Sequence, residues 1–285
     1  MPLRRVSIAN TSWETDPSGL NVLHVYEPHA LVQAAGYLKF TYAENYSEGI
    51  YFRGQRKIYG SLTPTLFRGI RSQSSQCKRI SSLKSVVSSY NSNLSIFRKF
   101  GAYAHEPLLQ HYGVNTSWID VVDNVWVALW FACHRAKSTG RRSEFLHFEK
   151  RIVGDDCQYA YIILIGADIA SRNAHCAGLF YGDSTELIDL RMSIPSVFLR
   201  PHAQHGLLFR VKGIPGAGRP LDYTRQIRGV LRIKLGHAIQ WLGDGKMVGV
   251  HSLFPPPYYD HGYRILLSAN ILGAVETGAI NHIGA

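Results

Sequence analysis

A glycine-flanked arginine and two later polar segments are the parts of this sequence best suited to bind an anion. In residues 51–55 (YFRGQ), Arg53 ends an apolar stretch and Gly54 follows it. Glycine lets the backbone turn tightly, so the guanidinium of Arg53 can be aimed into a cleft, where its fork suits phosphate or carboxylate oxygens. The same pattern also fits a surface arginine in front of a turn, and spacing alone favours that simpler interpretation.

The second segment, residues 110–120 (QHYGVNTSWID), places polar side chains between a glycine turn and the apolar residues 125–136. Those apolar residues predict a helix capped by Asp123 or Asn124, and its first turn offers free N–H groups to an anion. His111 could act as an acid, as a base or as a donor that orients a ligand. Alternatively, His111 braces the turn and the helix belongs to the core.

The third segment, residues 200–209 (RPHAQHGLLF), leads into a strand that begins at Gly206. Gln204 is therefore expected at a turn that overlooks a sheet edge. His202 and His205 are three residues apart, a spacing that metals use on helices, but no third ligand follows nearby. We therefore predict no metal site.

Hydrophobic periodicity predicts the elements that must position these segments. The predicted helices cover residues 28–44, 78–100, 106–112, 125–136, 236–242 and 248–254. The predicted strands cover residues 49–54, 159–165, 186–190, 206–211 and 229–235, with a loop at 213–220 and a loose tail at 270–285. Helices dominate the first half and strands the second. This order indicates a single α+β domain over residues 1–285, with a helical N-terminal half packed on a mainly antiparallel or mixed sheet.

The 285 residues carry a formal net charge of +11, and the charge is concentrated in two segments. Residues 49–105 hold ten Lys and Arg and no acid, and residues 200–235 hold eight against Asp222 alone. Such segments suit a polyanion, a nucleotide or an acidic partner. No apolar run approaches the ~20 residues of a membrane span, and no signal peptide is evident. The four cysteines, one of them Cys157, form no C-x-x-C pair, so we expect a cytoplasmic protein with free thiols and no membrane contact.

Five motifs in order resemble the FRG domain family, named for its Phe-Arg-Gly motif. Residues 52–55 (FRGQ) resemble the opening motif, and residues 62–68 (LTPTLFR) resemble the family's L-x-P-S-L-x-R. Residues 111–133 are similar to its H-Y-G-x-P-T-R-L-L-D-W-T-x-N-P-x-x-A-L-x-F-A-C. Residues 200–207 and 253–255 are similar to its R-x-x-x-Q-x-G-L-F and L-F-P motifs. The resemblance runs from about residue 13 to about residue 266, and its main departure is Ser117, which stands where the family has arginine.

A more distant resemblance is to ADP-ribosyltransferases, which have a strand ending in Arg-Gly and a Thr- or Ser-bearing strand leading into an A-x-x-F-A helix. This resemblance implies a split sheet and NAD as substrate. Arg53 would hold a phosphate or ribose of NAD, Thr116 would brace the site and Gln204 would contact the ribose. Gln204 is neutral and stabilises a positively charged transition state only weakly, so the resemblance implies NAD binding more than rapid transfer.

The resemblance implies an effector or toxin of bacterial conflict or phage defence that uses NAD, a dinucleotide. The candidate catalytic residues are Arg53, Thr116 and Gln204. The candidate ligand-binding residues are Gly54, Gln55, Arg68, His111, Tyr112, Gly113, Asp120, Asn124, Arg200 and His205.

Two other functions remain open from the residues. The protein could bind or cleave nucleic acid through residues 49–105 and 200–235, because aromatic side chains that can stack on bases are interleaved with the first basic segment. These aromatic residues are Tyr51, Tyr59, Phe67, Tyr90 and Phe97. It could also be a non-catalytic ligand sensor that keeps the fold.

Overall fold

The computed structural model describes residues 7–16, 19–70, 72–154, 158–168, 171–172, 175–213 and 221–284. Cys157 and residues 214–220 of the predicted loop lie outside these residues. The strands are β1 (Thr11–Thr15), β2 (Asn21–Val25), β3 (Gly49–Gln55), β4 (Ile119–Val122), β5 (His134–Thr139), β6 (Phe145–Lys150), β7 (Tyr159–Ala167), β8 (Ser171–Arg172), β9 (Leu179–Tyr181), β10 (Thr185–Asp189), β11 (Gly206–Val211), β12 (Ile227–Lys234) and β13 (His282–Gly284). The α-helices are α1 (Pro28–Tyr46), α2 (Gln73–Asn93), α3 (His105–His111), α4 (Val125–Cys133), α5 (Leu190–Ser193), α6 (Leu199–Ala203), α7 (Leu235–Trp241), α8 (Val250–Leu253) and α9 (His261–Ser268).

Ten strands form one mixed sheet in the order β1-β2-β12-β7-β3-β4-β11-β10-β9-β8. Its neighbours are antiparallel except β2 and β12, which run parallel. Strand β3 pairs with β7 along its whole length but with β4 at one position, where Phe52 faces Val122. The sheet therefore has two continuous halves that meet at a single residue pair. The predicted α+β class with a mixed sheet is confirmed, whereas a split of the ADP-ribosyltransferase type stays a prediction.

The central strand β7 is covered on both faces. Because successive side chains of a strand point to opposite faces, Ile162 and Leu164 enter one core, while Ile163 and Ile165 enter another. Helices α1, α4 and α7 pack on the first of these faces. Helices α2, α3 and α9 enclose a further core beside β10 and β11. Helices from the C-terminal half thus also cover the sheet, although the sequence predicted mainly N-terminal helices there.

Most predicted elements form, and local chemistry explains their ends. Helix α1 begins at Pro28, whose missing N–H costs nothing in a first turn, and its apolar stripe is buried. Helix α2 differs from the predicted range of 78–100. It begins earlier because the Ser72 hydroxyl accepts a hydrogen bond from the Ser75 amide, and it ends at Asn93, before an extended Leu94.

The predicted helix at 125–136 is three residues too long. Helix α4 ends at Cys133, and His134 starts β5, which pairs with β6. Asn124, not Asp123, caps α4: its Oδ1 accepts hydrogen bonds from the Trp126 and Val127 amides. The apolar pattern alone could not place the helix end, because a distant strand competes for the backbone of residues 134–136.

The C-terminal stretch from residue 270 is packed, and the prediction of a loose tail there is wrong. The Asn115 amide donates to the Thr277 carbonyl at 2.8 Å, and the Asn281 amide donates to the Tyr112 carbonyl at 2.7 Å. Ile280 is buried, and β13 adds to β6 as a parallel strand. These contacts come from residues far apart in the sequence and leave no local pattern.

None of the described helices is long and apolar enough to cross a lipid bilayer.

Candidate functional site

Arg53 lies at the meeting point of the two halves of the sheet. It directly follows Phe52, the residue through which β3 contacts β4. Its Nη1 donates to the main-chain oxygen of Asp120 on β4 at 2.6 Å, so the guanidinium bridges the gap where the strands diverge. Burial lowers the pKa of Arg53, and the nearby Asp120 partly offsets this effect. The Nε atom is buried and has no hydrogen-bond partner among the described residues.

Gly54 allows α4 to lie directly against β3. A Cβ atom at this position would be 1.9 Å from the Ala128 carbonyl oxygen and 2.7 Å from the Ala132 amide. No side chain fits in that space. Gly54 lines the candidate site through its backbone, but its requirement for glycine comes from the packing of a helix on a strand.

Two neighbouring cavities share Arg53, Gly54, Gln110 and Asp120 in their walls. The larger one, here called the outer cleft, has a volume of about 1100 Å³ and includes Gln55 and Arg68 in its lining. The smaller one, here called the inner cavity, has a volume of about 270 Å³. Its lining includes Arg53, His111, Gly113, Asp120, Arg200, Gln204, Phe254 and Asn281. Arg53 thus belongs to the walls of both cavities.

Asp120, whose main-chain oxygen accepts from Arg53, is also the centre of a side-chain hydrogen-bond network. Its Oδ2 accepts from Gln110 Nε2 at 2.8 Å, and its Oδ1 lies 3.4 Å from His111 Nδ1. Burial raises the pKa of the Asp120 carboxyl, but His111, Arg53 and Gln110 outweigh it and hold the pKa below its usual range. Thr116 is fully buried and donates to Gln110 Oε1 at 2.6 Å. It therefore reaches the site through Gln110 without lining either cavity.

Arg200 and Gln204 enter the inner cavity from α6 and the turn that follows it. Gln204 is buried, and its Nε2 donates to the Leu253 carbonyl at 2.8 Å. The Arg200 Nη1 donates to the His111 carbonyl at 3.2 Å. The structure thus places Arg53 and Gln204 in the lining of one cavity and ties Thr116 to it by hydrogen bonds.

Three predicted ligand-binding residues have structural partners away from both cavities. Tyr112 is fully buried and donates from its hydroxyl to Asp260 Oδ2 at 2.6 Å. Asn124 caps α4. His205 Nδ1 lies 3.1 Å from Asp123 Oδ1, in an ion cluster that also holds Arg191. The structure does not bring these three side chains into the site.

Other lining residues carry only weak signals in the sequence. Gln110 directly precedes His111, and this position next to a candidate ligand-binding residue is a signal for it. His134, which stacks on Trp130 with ring centres 3.8 Å apart, lies within the predicted helix 125–136, where no strand is expected. Asn281 comes from the stretch predicted to be loose. It fills the space beside Gly113, where a Cβ would lie 2.4 Å from its side chain.

In the second basic segment, four of the seven Lys and Arg among the described residues 200–213 and 221–235 are buried or paired, so most of this charge is not free for a polyanion. Arg200 is buried, and three other arginines form ion pairs with glutamates on distant elements. These pairs are Arg210–Glu186, Arg228–Glu48 and Arg232–Glu14.

In the first basic segment, Phe67, Tyr90 and Phe97 are core residues, so base stacking by them is excluded. Among the described residues, no group of three or more His, Cys, Asp and Glu is placed to hold a metal.

A comparison with protein families agrees with the motifs. The model of the FRG domain family matches residues 48–141, about a third of the chain. This range contains Arg53, Thr116 and Asp120, while Arg200 and Gln204 lie beyond it. Residues 48–141 therefore match an FRG domain. Searches of the curated proteins and of the solved structures found no match.

Proposed function

We propose that the protein is an NAD-binding enzyme of the ADP-ribosyltransferase type, with NAD as its substrate. The observation that carries this proposal is the position of Arg53. Its guanidinium lies at the junction of the two half-sheets, between the outer cleft and the inner cavity. A dinucleotide has two nucleoside ends joined by a diphosphate, so two adjacent cavities that share an arginine in their walls suit its shape and charge.

The surrounding residues support the roles that the resemblance implies. Arg53 would hold a phosphate or ribose, Gln204 would contact a ribose hydroxyl and Thr116 would brace the site through Gln110. Asp120 supplies the negative charge that Gln204 lacks. In the reaction, the bond from the ribose C1′ to the nicotinamide nitrogen breaks and nicotinamide leaves with the electron pair. An acceptor nucleophile then bonds to C1′ and loses its proton, and the Asp120 carboxylate stabilises the positive charge that builds up on the ribose.

The test is nicotinamide release from NAD, measured by chromatography with and without bacterial lysate as a source of acceptors. We expect Arg53→Ala to reduce the rate on the order of 100-fold, the size of effect seen when an electrostatic contact to a transition state is removed. Asp120→Asn should reduce turnover more than NAD affinity. Arg98→Ala is the matched control, because Arg98 is exposed and lines neither cavity. Equal rates for the wild-type protein, Arg53→Ala and a blank would refute the proposal.

We further propose that the enzyme acts as an effector in bacterial conflict or phage defence, a role supported by the family resemblance. Its expression in bacteria should then arrest growth, and expression of Arg53→Ala should not. Normal growth with the active enzyme would contradict this role but not the reaction.

A second candidate function is nucleic-acid binding by the outer cleft. Exposed Arg56, Arg68 and Arg135 line it, together with the half-exposed ring of Tyr59. Single-stranded oligonucleotides should then bind with an affinity that falls steeply with salt, and Arg68→Gln should reduce the slope by about one. Affinity that does not change between low and high salt would exclude this function.

A further inference from the structure

Arg200 carries a buried guanidinium that is only partly bonded. Arg200 is 1% exposed to solvent. Its Cζ lies 4.3 Å from the ring centre of Tyr112 and 4.6 Å from that of Tyr263. Nη1 donates to the His111 carbonyl, but Nε and Nη2 have no hydrogen-bond partner among the described residues although both are buried. A buried charge with unpaired donors is costly, so this group needs a further partner.

The two unpartnered nitrogens form one edge of the guanidinium plane, which is the edge that grips two oxygens side by side. Three other arginines of this protein use the same two nitrogens to bind a carboxylate. They are Arg191 with Asp189, Arg210 with Glu186 and Arg228 with Glu48. At Arg200 no described carboxylate lies within ion-pair distance. Asp260 accepts the main-chain N–H of Arg200 instead.

We infer that the free edge of Arg200 binds a phosphate group of the ligand in the inner cavity. Arg200 lines this cavity together with Arg53, whose Nε is also buried and unpartnered. Two arginines that line one small cavity place two positive charges at its wall, which match a diphosphate better than a single carboxylate. The phosphate site follows from Arg200 itself, and its assignment to the diphosphate of a dinucleotide rests on the proposed function.

The experiment measures the binding of inorganic pyrophosphate by calorimetry at constant ionic strength. Arg200→Gln should weaken binding about tenfold or more, because it removes two charge-assisted hydrogen bonds. Arg200→Lys keeps the charge but lacks the two-nitrogen edge, so it should fall between the wild-type protein and Arg200→Gln. Arg98→Gln removes an equal charge from the exposed surface and should bind like the wild-type protein. Acetate in place of pyrophosphate should bind at least tenfold more weakly, and equal affinity would refute the assignment to phosphate.

A second measurement follows the wild-type protein and needs a variant only to assign one signal. In ¹H–¹⁵N spectra of the wild-type protein, the Nε–H signal that disappears in Arg200→Lys should shift as pyrophosphate is added. An unchanged signal at saturating pyrophosphate would overturn the inference. If NAD is consumed while this signal and the KM for NAD in Arg200→Gln stay unchanged, the phosphate site is refuted and the proposed reaction stands. If pyrophosphate binds through Arg200 but NAD is not consumed, the phosphate site stands and the proposed reaction is refuted.

Discussion

Replacing Gly54 with alanine should damage the fold and the site together. The added Cβ would lie 1.9 Å from the Ala128 carbonyl oxygen, and that atom belongs to the backbone of α4, so no side-chain rotation can relieve the contact. Helix α4 must therefore move away from β3 by about 1 Å to reach a tolerable distance. Arg53 precedes Gly54 on the same strand and would move with it.

The structure sets the size of the effect. Ala128, Leu129 and Ala132 of α4 are fully buried at this contact. A gap of 0.5–1 Å forfeits roughly a quarter to a half of the dispersion energy of the atoms that line it. Overpacking in a core costs about 1–3 kcal/mol, and a contact with rigid backbone belongs at or above the upper end of that range. We expect a loss of about 3 kcal/mol in the free energy of unfolding.

Urea denaturation followed by circular dichroism measures this loss. The matched control is Gly36→Ala, since Gly36 lies on an exposed face of α1 where an added Cβ meets nothing within 4 Å. That change should stabilise the protein by about 0.5–1 kcal/mol, because alanine favours a helix over glycine. If Gly54→Ala has the same unfolding midpoint as the wild-type protein, the close approach of α4 to β3 is refuted.

Two further predictions concern the segment between β4 and α4. Asn124→Ala should lower the free energy of unfolding by about 1 kcal/mol, because the amides of Trp126 and Val127 lose their acceptor. Asn124→Asp should keep most of this stability, because aspartate also caps a helix. Equal denaturation midpoints for Asn124→Ala and the wild-type protein would contradict the cap. Burial raises the pKa of Asp123, but hydrogen bonds and charge from Arg191 outweigh it and hold the pKa below its usual range. This carboxylate therefore contributes stability above the ordinary carboxyl pKa of about 3.9 and loses it as the pH falls through the lower, folded value. Unfolding midpoints measured from pH 7 to pH 2 should fall less steeply in Asp123→Asn, and parallel curves would contradict the ion pair.

The elements that the sequence predicted well are those whose signals are local. Helix α1 carries its proline start and its apolar stripe within one segment, and β11 forms over the whole predicted range of 206–211. The end of α4 could not be predicted, because residues 134–138 (HRAKS) contain no glycine or proline that would stop a helix. The change to a strand there depends on β6, which lies farther along the chain.

In the candidate site, too, the sequence predicted well only what depends on local signals. The motif around Arg53 and Gly54 marked this strand end as a candidate site, but periodicity could not distinguish a ligand-binding glycine from one required by helix packing. The sequence placed Tyr112, Asn124 and His205 in the site because they belong to motifs. Their side chains are bonded to Asp260, to the first turn of α4 and to Asp123.

Residue types and short-range spacing determined the α+β class, the Arg53-Gly54 motif at a strand end and the total charge of +11. The tertiary structure decided where that charge acts. Three arginines of residues 200–235 are paired with glutamates from distant parts of the chain, and Arg200 is enclosed by aromatic rings with one edge unpaired. The reason is that hydrophobic periodicity and capping act over a few residues, whereas an ion pair or a cavity wall requires side chains that the sheet brings together from distant parts of the chain.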